Sequence, residues 1–263
     1  MTFAAVLCDL DGVVWLARQA IPGATQAVAA LRAAGSRVLF VTNNSSAPLG
    51  DQEAALDAIG IPAAGDVVTS AMAAARLVEH GEHVLVCAGD GVVEAVAGRG
   101  AHPIDGSDAT PGPIDAVVVG FHTSFDYTRL RIATTAVLAG ARLIATNDDP
   151  TYPTPAGPIP GGGSILAAVA TATGVTPVIA GKPFATMAET VLDALGRPDP
   201  ATLLMVGDRT STDGEFAVAL GCPFALVRSG VTPPGLVVDP RPDLDALDLA
   251  ALVALVSTVA PPQ

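Results

Sequence analysis

Short apolar runs alternate with longer segments of helical character along most of the chain. Runs rich in valine, leucine and alanine occur at residues 6–8, 37–41 and 202–206, and each is followed by polar residues or glycine. Short runs without polar alternation are typical of strands that are buried on both faces of a parallel sheet. The pattern therefore predicts an α/β fold built on a Rossmann-like, doubly wound parallel sheet.

A new series of strands and helices begins near residue 81. We interpret residues 81–180 as a second, smaller α/β unit with its own core, inserted between the segments 1–80 and 181–263 of a larger domain. Within it, the proline and glycine content of residues 147–163 predicts a loop. The predicted strands are 6–8, 37–41, 66–69, 84–87, 116–119, 142–145, 177–180, 202–206 and 224–227, and the predicted helices are 23–34, 48–59, 71–80, 92–97, 127–139, 164–173, 186–195, 217–221 and 247–256.

Two carboxylates follow the first predicted strand. Asp9 and Asp11 stand one residue apart, and Gly12 after them tolerates the backbone conformation of a sharp turn. Two such charges repel unless a cation or a proton lies between them, so the pair indicates either a divalent metal site or an acid and base that share a proton. An exposed turn of the same sequence is the alternative interpretation.

Polar groups also follow three other predicted strands. Thr42 and Asn43 open a polar stretch over 42–46, which could bind an oxyanion or cap the helix that follows. Asp208 and Asp213 repeat the pattern of the first strand end. Lys182, the only lysine among thirteen basic residues, follows the strand at 177–180, and its compact ammonium suits a phosphate.

Parallel strands place all their carboxyl ends at one edge of the sheet. We therefore expect the four polar groups to converge in one pocket although they are far apart in the sequence. Carboxylates from two strands can hold Mg²⁺, which prefers oxygen ligands, while the polar stretch and Lys182 contact phosphate oxygens on the other side. The predicted partner is a small phosphorylated metabolite.

The composition limits the expected cellular location and the expected classes of partner. The net charge of −13 disfavours nucleic acid and anionic membranes, because the summed field repels polyanions. No apolar run approaches the roughly 20 residues of a membrane helix, and no signal peptide is recognisable, so the expected location is cytoplasmic. The odd number of cysteines, Cys8, Cys87 and Cys222, favours buried thiols over disulfides.

In combination, these motifs resemble those of the haloacid dehalogenase (HAD) superfamily of aspartyl phosphohydrolases. The similarity is greatest to subfamily IIA, the NagD and p-nitrophenyl phosphatase branch, whose members carry an inserted cap of the C2 type. The stretches that carry the resemblance are 9–15, 42–46, 181–183 and 207–213, together with 117–120, Phe125, Tyr127, 146–149 and 160–164 in the middle unit.

The resemblance implies a magnesium-dependent phosphatase of small phosphate monoesters, with p-nitrophenyl phosphate as a generic substrate. Asp9 would be the nucleophile that forms an aspartyl phosphate, and Asp11 would be the general acid and base. Mg²⁺ would be held by the Asp9 carboxylate, the Asp11 main-chain carbonyl and Asp208, with Asp213 steadying these ligands.

The resemblance also assigns the binding groups. Asp11, Thr42, Asn43 and Lys182 would bind the transferred phosphoryl group. In the cap, the loop 147–163 would close over the substrate, with Asn147, Asp149 and Tyr152 as specificity candidates. A rigid surface connection is the alternative for this loop. Caps of this type often pair, so a homodimer through the cap is a further expectation.

Two residues depart from the family pattern. His122 stands where an acid is more usual in the cap, and Gly214 stands where an aliphatic residue is usual. Neither departure removes a group that the chemistry needs. A phosphotransferase or phosphomutase of the same superfamily is an alternative function, since only the acceptor differs. A receiver module that accepts phosphate is a weaker one, because it has no inserted unit.

Overall fold

The computed structural model describes residues 3–108, 112–154 and 156–258, with side chains described as far as residue 256. Its strands are β1 (Ala5–Cys8), β2 (Trp15–Leu16), β3 (Gln19–Ala20), β4 (Arg37–Thr42), β5 (Val67–Thr69), β6 (His83–Cys87), β7 (His102–Asp105), β8 (Ala116–Val119), β9 (Arg142–Ala145), β10 (Thr151–Tyr152), β11 (Ile159–Pro160), β12 (Val178–Ile179), β13 (Leu203–Gly207), β14 (Phe224–Val227) and β15 (Leu244–Ala246). Its helices are α1 (Ala24–Ala33), α2 (Leu49–Ala58), α3 (Ser70–Ala75), α4 (Asp90–Gly98), α5 (Tyr127–Leu138), α6 (Gly162–Thr173), α7 (Ala185–Leu195), α8 (Glu215–Leu220) and α9 (Leu249–Thr258).

The larger sheet has the strand order β15-β14-β13-β1-β4-β5, and all its pairs are parallel. In the central strand β1, Ala5 pairs with Leu203 on one side and with Arg37 on the other. All four residues of β1 are buried, which explains why the sequence shows an apolar run there without alternation. Since the chain extends the sheet in both directions from β1, the predicted doubly wound fold is confirmed.

The smaller sheet has the order β12-β9-β8-β6-β7 and is also parallel. One of its faces packs against α5 and α6 in a cluster that includes Val117, Ile132 and Leu166. The opposite face, through residues such as Val118, shares a cluster with Leu7 of the larger sheet. The smaller sheet therefore has one face with a cluster of its own and one face whose cluster is continuous with that of the larger sheet.

Several short elements differ from the sequence expectations. Two antiparallel hairpins, β2–β3 and β10–β11, were not predicted, and the second lies inside the expected loop 147–163. The edge strands β7 and β15 were also missed, and α3 ends at Ala75, short of the predicted residue 80. Among the described residues, no helix has both the length and the apolar character needed to cross a membrane.

Candidate active site

One pocket lies where β1, β4 and β13 end. Its wall includes nine of the ten candidate residues: Asp9, Asp11, Thr42, Asn43, Asn147, Asp149, Tyr152, Lys182 and Asp208. The tenth, Asp213, lies directly behind the wall and contacts Lys182. The space between the lining atoms, including open solvent at its mouth, is about 590 Å³. The four predicted strand ends thus converge.

Lys182 lies between two carboxylates at the bottom of the pocket. Its side chain is 2% exposed, and Nζ is 2.8 Å from Asp9 Oδ1 and 2.7 Å from Asp213 Oδ1. Burial by itself lowers the pKa of Lys182, but the charges of Asp213 and Asp9 outweigh it and raise the pKa above its usual value. Lys182 therefore remains a charged ammonium at any physiological pH.

Asn43 fixes the backbone that carries this ammonium. Its Oδ1 accepts a hydrogen bond of 2.8 Å from the Lys182 main-chain N–H, and its Nδ2 donates one of 3.0 Å to the Lys182 carbonyl oxygen. The side chain at the end of β4 is therefore engaged by the segment that follows β12. This contact links the two sheets at the pocket.

Three buried carboxylates surround a candidate cation site. Oxygen atoms of Asp9, Asp208 and Asp213 lie within 4.8 Å of one another. Burial, reinforced by the charge of Asp213, raises the pKa of Asp208 to about 7, and burial also raises the pKa of Asp9. One ammonium does not balance three carboxylates, so the site favours either protons or a further cation. A set of hard oxygen donors fits Mg²⁺.

Some oxygens of these three carboxylates accept hydrogen bonds from the residues that the structure describes and others do not. Both oxygens of Asp213 are engaged, Oδ1 by Lys182 and Oδ2 by the Arg209 main-chain N–H at 3.1 Å. Oδ2 of Asp208 accepts a hydrogen bond of 2.5 Å from the Val231 main-chain N–H. Within the described part of the chain, Oδ2 of Asp9 and Oδ1 of Asp208 accept no hydrogen bond from the protein. These two oxygens are the ones available to a cation.

The loop after β14 supports Asp208, a role that the sequence motifs did not indicate. A Cβ atom at Gly230 or at Gly12 would overlap the Asp208 carboxylate, and Gly12 has a φ of 92°. The Thr232 hydroxyl also donates to the Asp208 carbonyl oxygen. The sequence did contain a signal for this role, because Gly230 follows the apolar strand β14 and the ends of other strands line the pocket.

Asp11 has the properties of a weak acid near neutral pH. Burial raises its pKa to about 6, against the opposing effects of a hydrogen bond from Trp15 and the charge of Lys182. The Tyr152 hydroxyl lies 3.5 Å from Asp11 Oδ1. A carboxyl group whose pKa is close to the working pH can both donate and accept a proton during a reaction.

Residues of the smaller unit cover the pocket. Asn147 Nδ2 donates to the Asn43 carbonyl oxygen at 2.7 Å, and Asp149 Oδ2 accepts from Asn43 Nδ2 at 2.9 Å. The Arg209 guanidinium, another group that the sequence analysis did not single out, lies 3.7 Å from Asp149 Oδ1. The segment at 147–149 is therefore attached to the strand ends of the larger sheet.

The two departures from the family pattern lie outside the pocket. His122 Nδ1 is 3.1 Å from Ser124 Oγ, so this side chain bonds within its own unit. Gly214 lies against Pro240 and Phe224, which leave little room for a Cβ atom. Local packing thus accounts for the glycine.

Two family models match parts of the chain. The model of the haloacid dehalogenase-like hydrolases matches residues 6–102, and a HAD-hydrolase-like model matches residues 179–252. The 5'-nucleotidase YutF of Bacillus subtilis is 35% identical over 235 residues, which cover 88% of this chain and 89% of that protein. The chain belongs to the haloacid dehalogenase-like hydrolases.

Other relatives show to which branch of the family the chain belongs. The D-glycerol 3-phosphate phosphatase of Mycobacterium tuberculosis is 41% identical over 231 residues, or 86% of this chain, which spans only 63% of that protein's length. The crystal structure of a glycerol phosphate phosphatase from the same organism in complex with magnesium matches with a TM-score of 0.86 and 37% identity, over 99% of this chain and 80% of that one. A p-nitrophenyl phosphatase from Archaeoglobus fulgidus matches with a TM-score of 0.86 and 28% identity, over 97% and 100%. These relatives place the chain among the phosphoric monoester hydrolases of subfamily IIA, as its motifs predicted.

Proposed function

We propose that the chain is a magnesium-dependent phosphatase that hydrolyses small-molecule phosphate monoesters, such as nucleotide, glycerol, sugar or cofactor phosphates, through an aspartyl phosphate on Asp9. The observation that carries the proposal is the buried group in which Lys182 joins Asp9 to Asp213, with Asp208 and Asp11 in the same pocket. The named phosphatases among the relatives support the same chemistry.

The first step transfers the phosphoryl group to the protein. A carboxylate oxygen of Asp9 attacks phosphorus, and the bond between phosphorus and the leaving oxygen breaks. The Asp11 carboxyl group gives its proton to that oxygen, so the leaving group departs as a neutral alcohol. The raised pKa of Asp11, about 6, keeps a proton available for this role near neutral pH.

The second step releases phosphate. A water molecule attacks phosphorus, and Asp11, now a carboxylate, takes a proton from this water. The bond between the Asp9 oxygen and phosphorus breaks, and inorganic phosphate leaves with Asp9 restored. Splitting the hydrolysis into two displacements lowers each barrier. The Asp11 carboxyl group donates a proton in the first step and accepts one in the second.

Positive charge near Asp9 makes the attack on an anionic phosphate possible. Lys182 supplies one charge at 2.8 Å from Asp9, and Asn43 holds the backbone of Lys182 in place. The Thr42 hydroxyl accepts a hydrogen bond from the Asn44 main-chain N–H at 3.0 Å and donates to no other described residue, so its proton can be donated to a phosphoryl oxygen. Direct contact of Asn43 with the phosphoryl group stays a prediction from the sequence.

Mg²⁺ would be held by the available oxygens of Asp9 and Asp208 and by the Asp11 main-chain carbonyl, with Asp213 behind them. When bound, it would neutralise charge on the nucleophile and on the phosphoryl oxygens. The magnesium complex of the mycobacterial relative supports this choice of metal. Asp213 acts through Lys182 and the Arg209 backbone, because both of its oxygens are already engaged.

We assign residues 81–180 as the cap and residues 1–80 and 181–263 as the catalytic core. In this role, Asn147, Asp149 and Tyr152 line the cap side of the pocket, where they are candidates for determining specificity. The homodimer through the cap, the cytoplasmic location and the absence of nucleic-acid and membrane partners stay predictions from the sequence.

The test is release of phosphate from p-nitrophenyl phosphate, measured with Mg²⁺ and after its removal with EDTA. We expect Asp9→Asn to lower kcat by more than about 10³-fold, because an amide cannot take the phosphoryl group. Asp57→Asn, which removes an exposed charge on α2 outside the pocket, is the matched control and should retain full activity. Substantial turnover by a folded Asp9→Asn protein, or by the wild type in EDTA, would contradict the proposal.

A further inference from the structure

Tyr152 of β10 places its hydroxyl beside Asp11. The oxygen lies 3.5 Å from Asp11 Oδ1 and 3.3 Å from Nδ2 of Asn44, which follows β4. The ring stacks on Phe121, which follows β8, with ring centroids 5.0 Å apart and an angle of 18° between the planes. One side chain from the cap thus contacts both the loop after β1, through Asp11, and the loop after β4, through Asn44.

The hydrogen-bonding capacity of these groups fixes the direction of the network. The Asn44 amide nitrogen only donates, so the Tyr152 oxygen accepts from it. The Tyr152 proton is then directed to Asp11, which accepts at Oδ1. Asn44 is itself held, because its Oδ1 accepts from the Ser46 N–H at 3.1 Å and from the Ser46 hydroxyl at 2.6 Å. The chain of donors therefore ends on Asp11.

The distance to Asp11 is long for a bond between two oxygens, which is usually about 2.7–2.8 Å. Catalytic hydrogen bonds are often long in a free enzyme and shorten when substrate is bound. The stack on Phe121 and the bond to Asn44 already orient the hydroxyl, so a shift of less than about 1 Å completes the contact. The geometry thus provides for a bond that forms fully during turnover.

We propose that Tyr152 is a positioning residue for Asp11: its hydroxyl orients the carboxyl group that protonates the leaving oxygen. The inference rests on the proposed function, in which Asp11 is the general acid. It gives Tyr152 a role different from contact with the substrate.

The two roles differ in how activity depends on the leaving group. A poorly oriented acid slows the departure of basic leaving groups, whereas p-nitrophenolate leaves readily without a proton. Phenyl phosphate has nearly the same shape as p-nitrophenyl phosphate, but its leaving group is a phenol with a pKa of about 10. Contacts with the aromatic ring are therefore held nearly constant, while the demand for protonation changes.

The experiment measures kcat/KM for wild type and Tyr152→Phe on a series of substituted phenyl phosphates, because kcat/KM reports on the step in which the leaving group departs. We expect Tyr152→Phe to lower kcat/KM about tenfold on phenyl phosphate and less than about twofold on p-nitrophenyl phosphate. The tenfold loss is smaller than the typical contribution of a general acid, because Asp11 itself is still present. The dependence of log(kcat/KM) on the leaving-group pKa should become steeper. Phe121→Leu, which loosens the stack, should steepen it less.

The chain offers a matched control in its other tyrosine. Tyr127 is 79% exposed, and Tyr127→Phe should leave the whole series unchanged. Equal losses by Tyr152→Phe on all members of the series, or no loss on any, would overturn the inference. Retained activity on p-nitrophenyl phosphate shows that the variant is folded. A wild type that is inactive on the whole series would instead contradict the proposed phosphatase function.

Discussion

At the scale of single residues, the pocket concentrates charge that the fold has removed from water. Asp9, Asp208 and Asp213 are at most 9% exposed, and Lys182 is 2% exposed. Strand ends in the sequence predicted that these groups meet, because parallel strands end at one edge. The sequence did not predict that Lys182 would lie between Asp9 and Asp213, since these distances depend on how the segment after β12 packs.

The raised pKa of Asp208, about 7, leads to a prediction about pH. Because an unfolded aspartate has a pKa of about 3.9, the metal-free folded protein holds a proton that the unfolded chain releases, and this contribution to stability is lost as the pH rises towards 7. Mg²⁺ needs the ionised carboxylate, so protons compete with it below pH 7. We expect MgCl₂ to raise the Tm more at pH 8 than at pH 6.

Thermal unfolding at the two pH values, with and without MgCl₂, measures this effect. Asp208→Asn should remove most of the response to Mg²⁺ at pH 8, whereas Asp57→Asn should keep it. A shift in Tm that is the same at both pH values would show that no proton is displaced.

At the scale of elements, the structure departs from the sequence predictions where strands are short or irregular. β7 contains Pro103, which a central strand does not tolerate, but β7 is an edge strand with one neighbour. β15 contains Asp245, and β10 and β11 have two residues each, too few to show a period. The longer apolar strands were predicted well because burial on both faces dictates their composition.

The loop after β14 provides a prediction at this scale. A Cβ atom at Gly230 would overlap the Asp208 carboxylate, so Gly230→Ala must displace either the loop or that carboxylate. We expect the affinity for Mg²⁺ to fall by about tenfold or more, as when a group that orients a metal ligand is lost. Calorimetric titration of the purified variant with MgCl₂ measures this change.

Gly50→Ala is the matched substitution. Gly50 lies in α2 with no heavy atom near the position of an added Cβ, so alanine should stabilise the helix by about 0.5–1 kcal/mol and leave the affinity for Mg²⁺ unchanged. Wild-type affinity in Gly230→Ala would mean that the loop does not support Asp208.

At the scale of the whole molecule, β8 contributes to two of the three apolar clusters. Val118 faces the cluster shared with the larger sheet, and its neighbour Val117 faces the cluster under α5 and α6. Both residues are fully buried. Since one apolar cluster is continuous between the two sheets, the smaller and the larger unit should unfold together.

We therefore expect a single thermal transition that has the same midpoint by circular dichroism and by fluorescence of Trp15, the only tryptophan. Val117→Ala and Val118→Ala, which remove equal volumes from opposite faces of β8, should each destabilise the protein by about 2 kcal/mol. Each should lower that one midpoint by several degrees. A change by Val117→Ala in circular dichroism that the Trp15 signal does not follow would indicate two independent units.

The isolation of Lys182 has a practical consequence for experiments with the protein. A reagent that acylates lysine side chains finds one such target in the whole sequence, and its nitrogen is enclosed between Asp9 and Asp213. Acylation at Lys182 can proceed only when this enclosure opens and the ammonium gives up its proton. The labelling rate at that position, read by mass spectrometry, therefore reports how often the pocket floor opens, without any probe being engineered into the protein.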